Sequence, residues 1–144
     1  MKRLLVVMVL VVAALACERP EPGVQMTNRG ELRLGVPDGG MPGFEVAHAF
    51  GEVKTGETAA LTLQAVNTGL DTLDITGVKL ETASGDSGAF FVVGGTGSVA
   101  VGVTRTFRVT FAPVREGAYA GTLVFETNAV SGRARLSLNG TGRP

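Results

Sequence analysis

The sequence has no Trp, and only one Cys, one His and one Tyr among 144 residues. A single Cys excludes an internal disulfide and any zinc site built from several thiolates. A single His, His48, confines every Ser-His-Asp or Cys-His arrangement to one position. Without Trp, and with Tyr119 alone of its type, the chain has few of the aromatic faces on which sugars stack. It also has no excess of charge, with 13 basic and 13 acidic residues. A protein that tracks phosphates needs a marked basic excess on one face, so nucleic acid is not an expected partner. Finally, no segment carries the apolar spacing of an amphipathic helix.

What is present begins with an address. Lys2 and Arg3 precede thirteen apolar residues, Leu4 to Ala16, well short of the roughly 20 that span a bilayer as a helix. A basic start, a short apolar stretch and small residues at its end read as a secretory signal peptide over 1–16. Ala14-Leu15-Ala16-Cys17 resembles the lipobox of bacterial lipoproteins, with Ala14 where Leu is usual. The resemblance implies that Cys17 carries diacylglycerol and becomes the acylated N-terminus, an anchor and not a nucleophile. Several acyl chains hold a protein at a membrane durably, at about 0.8 kcal/mol per buried CH₂. Glu18 is not the Asp that retains lipoproteins at the inner membrane in enteric-type sorting, so the outer membrane is favoured over the inner.

Residues 17–43 hold Pro20, Pro22, Pro37 and Pro42 with six glycines and little apolar periodicity. Such density opposes helix and ladder alike, and the segment reads as a flexible tether, with a short strand possible over 31–36. From residue 44 to 142 the texture changes to short runs of Val, Leu, Thr and Phe separated by Gly, Asn and Asp. Strands are predicted near 44–50, 58–66, 73–81, 90–93, 103–111, 118–126 and 133–139. Phe107, Val109 and Phe111 alternate with Thr106, Arg108 and Thr110, placing one face on a core and the other in water. Leu73 and Ile75 share a parity that Val78 and Leu80 do not, which fits a bulge at Gly77. Seven short strands in about one hundred residues predict an all-β fold, an immunoglobulin-like seven-stranded antiparallel β-sandwich without the Cys-Trp-Cys core of antibody domains.

Over nearly the whole predicted domain the chain resembles the ASH-type immunoglobulin-like domains of the abnormal-spindle and hydin class, including the bacterial choice-of-anchor D domains. The resemblance runs through Phe50-Gly51, Gly56-Glu57, Asn67-Thr68-Gly69, Leu73-Asp74-Ile75 and Phe90. It continues through Phe111-Ala112-Pro113, Gly117-Ala118-Tyr119, Leu123, Thr127-Asn128 and Leu138-Asn139-Gly140-Thr141-Gly142. Val99-Ala100-Val101-Gly102 departs from it, since Pro-Gly is usual there. Physical roles suit several of these positions. Asn67 can bond backbone two residues on, Gly69 can take positive φ, Pro113 ends a ladder, and Tyr119 suits a tyrosine corner. The family implies protein association or a structural role, and no catalytic residue or cofactor.

Other constellations are weaker. Met26, Met41 and His48 are soft ligands suited to copper, but two of them sit in the tether. Asp71, Asp74, Glu81 and Asp86 offer oxygens to Ca²⁺ without EF-hand spacing. Gly94-Gly95-Thr96-Gly97 lacks the Lys-Ser/Thr of a phosphate loop. Arg105, Arg108, Arg133 and Arg135 are the candidate partner-binding residues, expected on solvent-facing positions of the fifth and last predicted strands. The expected protein is thus a lipid-anchored, non-enzymatic envelope module with an envelope protein as partner. The alternative is a carbohydrate- or metal-binding module.

Overall fold

The computed structural model describes residues 29–37, 40–86 and 88–144. The expected leader, Cys17, Met26 and the tether up to residue 28 lie outside the described residues. Nine strands occur among those described: β1 (Leu32–Gly35), β2 (Glu45–Lys54), β3 (Ala59–Asn67), β4 (Leu73–Ser84), β5 (Phe90–Val93), β6 (Gly97–Val99), β7 (Thr104–Phe111), β8 (Gly117–Thr127) and β9 (Arg133–Arg143). They form a four-stranded sheet, order β1-β3-β7-β5, and a five-stranded sheet, order β2-β9-β8-β4-β6. Together the two sheets make the immunoglobulin-like sandwich. Every pairing between strands is antiparallel except that of β2 with β9, which is parallel.

The seven predicted strands are all present as β2, β3, β4, β5, β7, β8 and β9. Two further strands complete the sheets. The sandwich begins earlier than residue 44, because part of the segment expected as tether is built into it. Leu32 and Leu34 of β1 are buried, β1 pairs with β3, and Gly43 and Leu34 exchange backbone bonds of 2.8 and 2.9 Å. The physical reason is local: in Leu-Arg-Leu-Gly the two leucines share one face, and two buried leucines suffice to dock a strand onto an open edge. β6 is three residues beside the start of β4, too short to leave a periodic trace.

Alternation builds the core. Phe107 and Phe111 from β7, Leu63 from β3, Leu123 and Phe125 from β8 and Leu136 from β9 are wholly enclosed between the sheets. Each such side chain contributes about 1.5–3 kcal/mol. Phe111 is the centre of an aromatic group, with ring centroids 5.0 Å from Phe90, 5.3 Å from Tyr119 and 5.5 Å from Phe50. The change of parity in β4 is a register shift between Ile75 and Gly77, where the bulge was expected.

The registers define two ends. At the proximal end, where the described chain begins at Arg29, lie the loops 68–72, 100–103 and 128–132. Leu32 faces Asn67, Val66 faces Thr104 and Ile75 faces Thr127 there. At the distal end lie the loops 55–58, 85–89 and 112–116.

Asn67 organises the proximal end. Its side chain is fully buried, and its Oδ1 accepts from the backbone of Gly69 (3.0 Å) and Glu31 (3.2 Å). Its Nδ2 donates to the carbonyls of Asp71 (2.8 Å) and Val99 (2.9 Å). The bond to Gly69 is the expected one. Gly69 itself does not take positive φ, so its expected role is corrected: a Cβ there would lie 2.2 Å from the Arg29 carbonyl oxygen. The need is close approach between chain segments, not a left-handed turn. In the departing stretch, Val103 donates to the Ala100 carbonyl (3.0 Å) and Gly102 has φ 73°. That is the backbone of a type II turn with Gly at its third position. At the distal end Tyr119 forms the expected tyrosine corner with Arg115.

Candidate functional site

The four candidate arginines do not share a face. Arg105 and Arg108 lie on β7 in the four-stranded sheet, and Arg133 and Arg135 on β9 in the five-stranded sheet. Arg105 departs from expectation: it has the parity of Phe107 and turns inward. Its Nη1 is enclosed, has no hydrogen-bond partner among the described residues, and lies 3.0 Å from where a Cβ on Gly97 would stand. Two residues from Phe107, its inward parity was legible in the alternation, but the charge argued the other way.

Arg133 and Arg135 are committed to ion pairs. Arg133 lies 3.7 Å from Glu126, which also accepts from Lys79 at 2.9 Å, and Arg135 lies 3.6 Å from Glu45. The hydrogen bond from Lys79, reinforced by the charges of Lys79 and Arg133, holds the Glu126 carboxyl below its usual range. Arg143 adds a pair with Glu52. The outer face of the five-stranded sheet is therefore covered by exposed ion pairs that neutralise one another, each worth little to stability.

The outer face of the four-stranded sheet is different. β3, β7 and β5 present one charge on it, Arg108, which makes no ion pair among the described residues. In register beside Arg108 stand Thr62 on β3 and Val93 on β5, and one pair further along stand Ala60, Thr110 and Phe91. Phe91 and Val93 are 53% and 69% exposed, on the strand that ends the sheet. Ala112 donates to the Ala89 carbonyl at 2.8 Å. By the alternation of an antiparallel pair, the backbone of Phe91 and Val93 then faces β7, and that of Phe90 and Val92 faces the open edge. An apolar pair, an uncommitted guanidinium and an unpaired strand edge are thus adjacent. Sequence reasoning found Arg108 but not Phe91 or Val93, which look like core residues in a four-residue apolar run.

The acidic residues weighed for calcium are not brought together. Asp71 is at the proximal end, where the Arg29 backbone N–H, and then its side chain, hold the carboxyl below its usual range. Asp74 accepts from Ser98 and Asn128, and Asp86 pairs with Arg115 at the distal end. No group of three or more metal-ligating side chains occurs among the described residues. His48 is half-buried on β2, edge-on to Phe50 at 4.8 Å.

A family model described as HYDIN/CFA65/VesB-like, Ig-like domain matches residues 43–141. No curated protein matches the chain. Among solved structures, it is similar to a protein of unknown function from Porphyromonas gingivalis W83, with TM-score 0.62 and 15% identity over 84% of this chain and 50% of that one. It is also similar to the ASH / PapD-like domain 7 of human CEP192, with TM-score 0.58 and 18% identity over 92% of this chain and 95% of that domain. A third similarity is to the VesB protease of Vibrio cholerae, with TM-score 0.52 and 15% identity over 68% of this chain and 30% of that one. The chain thus spans half of the Porphyromonas protein and less than a third of the protease. At these identities the likeness is one of fold.

Proposed function

The chain belongs to the HYDIN/CFA65/VesB-like family of Ig-like domains, and from that premise we propose that it is a membrane-anchored envelope lipoprotein whose Ig-like domain binds another protein. The binding role is non-enzymatic. The observation that carries it is the outer face of the four-stranded sheet, where Arg108 has no ion pair among the described residues and stands in register with exposed Val93. Every other guanidinium on an outer strand face is matched by a carboxylate of this chain. A solvated surface gains nothing from one unmatched Arg flanked by exposed Val and Phe, whereas an interface favours that combination. The edge of β5 adds backbone groups on which a partner strand can pair.

The anchor is supported by the basic start, the thirteen-residue apolar stretch and the Ala14-Leu15-Ala16-Cys17 motif. Glu18 favours placement at the outer membrane. Anchoring confines the domain to one surface and raises its effective concentration toward any partner there.

The test is crosslinking in cells that carry the intact protein, followed by affinity recovery. Arg108→Glu should lose the recovered partner, Arg135→Glu should retain it, and Cys17→Ala should lose it together with the membrane fraction. Equal recovery with Arg108→Glu and Arg135→Glu would defeat the proposed face.

A further inference from the structure

The two ends of the sandwich differ in a way that the interaction face does not use. The proximal loops 68–72, 100–103 and 128–132 contain one charged residue, Asp71, and that residue is paired with Arg29. The distal loops 55–58, 85–89 and 112–116 contain four, Glu57, Asp86, Arg115 and Glu116. Apolar exposure follows the opposite order. Leu70 (69%), Val101 (51%), Val103 (48%) and Val130 (69%) project from the proximal loops, against Val114 alone from the distal ones. Exposed Met41 lies beside Thr68 at the proximal side. Single exposed apolar residues are ordinary, but four from three adjacent loops at one end form a patch that marks an interaction site.

Part of the backbone of this end is paired within the chain. Leu70 donates to Arg29, Gly102 to Asn67, Asn128 to Asp74 and Gly132 to Ala129, at 2.8–3.2 Å. Each of these bonds is one donor and one acceptor fewer to strip of water, which lowers the cost of contact with an apolar phase.

What covers the patch is indicated by where the chain enters. Arg29, beside Gly69, Leu70 and Asp71 at the proximal end, follows Cys17 by twelve residues, a distance that even full extension limits to about 40 Å. From these observations we infer that the proximal end is a second membrane contact, in which Leu70, Val101, Val103 and Val130 dip into the headgroup boundary of the phospholipid bilayer that holds Cys17. The inference rests on the proposed lipid anchor. Tethering supplies the local concentration, and the apolar loop tips supply contact, as for other interfacial segments. The domain then stands upright, with its distal end away from the lipid and the Arg108 face turned to the side.

The absence of Trp makes the test direct. Leu70→Trp, Val130→Trp and, as control, Val114→Trp are introduced singly into the intact protein, which is extracted from membranes and reconstituted into phospholipid vesicles containing brominated acyl chains. The two proximal tryptophans should be quenched several-fold more than the control and emit at shorter wavelength. Quenching equal to that of Val114→Trp would overturn the inference. The mass of the extracted chain reports the anchor separately, through acyl groups on Cys17. An unmodified Cys17 would remove the anchor, and the same quenching comparison with vesicles added to the protein would still decide the contact.

Discussion

The phenolic oxygen of Tyr119 accepts a hydrogen bond from the Arg115 backbone N–H at 3.1 Å and donates one to the Arg115 carbonyl at 3.0 Å. One hydroxyl thus satisfies both backbone groups of a residue four positions earlier. It fixes the connection from β7 to β8, which passes from one sheet to the other. The ring meanwhile packs edge-on against Phe111, so the corner joins a polar restraint to the core.

Tyr119→Phe keeps the packing and removes both bonds. The backbone of Arg115 is near solvent and water replaces part of what is lost, so a loss of about 1–2 kcal/mol is expected. Urea unfolding with an unchanged slope checks this, and an unchanged midpoint would show that the corner is held by packing alone.

Phe111→Ala removes the ring around which Phe50, Phe90 and Tyr119 gather. A cavity there costs about 3–5 kcal/mol. The neighbouring rings come from β2, β5 and β8, so collapse into the space would need three strands to move together. A denaturant midpoint equal to wild type would contradict the enclosed position of this side chain.

Asn67→Ala leaves two N–H groups and two carbonyls at the proximal end without their partner. Each enclosed group left unpaired costs about 1–3 kcal/mol, and several are removed at once. The loss should concentrate on the segment that Asn67 ties down, Glu31 and β1. Hydrogen exchange is the appropriate measurement: β1 amides should exchange faster than those of β8 by a wider margin than in wild type.

How far the sequence foretold this is visible at particular residues. The inward parity of Phe107, Val109 and Phe111, the bulge before Gly77 and the corner at Tyr119 follow from local rules, and the structure has them. The strand over 31–36 is legible in Leu-Arg-Leu-Gly, but its place in the sandwich is not, because four residues between Pro- and Gly-rich stretches read as tether until burial of Leu32 and Leu34 decides it. The parallel pairing of β2 with β9 joins segments about ninety residues apart, and no local rule encodes such a contact. The proposed interaction face was half legible for the same reason. Arg108 declares itself by alternation, whereas the exposure of Phe91 and Val93 depends on which strand ends the sheet.

Acid should loosen the proximal end first. In the folded chain the Arg29 backbone N–H, with its guanidinium, keeps the Asp71 carboxyl below its ordinary value. A carboxyl lowered on folding contributes stability above its unfolded pKa, near 4, and that contribution is lost as pH falls through the folded value. Asp71→Asn should therefore differ from wild type at pH 7 and converge with it as pH falls below the unfolded carboxyl pKa and through the lower folded one. Parallel urea curves across that range check the sign, and a difference that grows toward acid would reverse it.

Arg105 gives a prediction of opposite direction. Its Nη1 is enclosed with no acceptor among the described residues, while the rest of the side chain packs at the margin of the core beside Gly97. An enclosed donor without a partner is a cost, and a well-packed apolar side chain of similar length removes it. Arg105→Met should leave the unfolding midpoint unchanged or raise it, in contrast to most core substitutions. It should also leave partner recovery intact, since Arg105 is not on the outer face with Arg108. A stability lowered by more than about 1 kcal/mol would mean that the guanidinium has an acceptor, and a lost partner would return Arg105 to the interface.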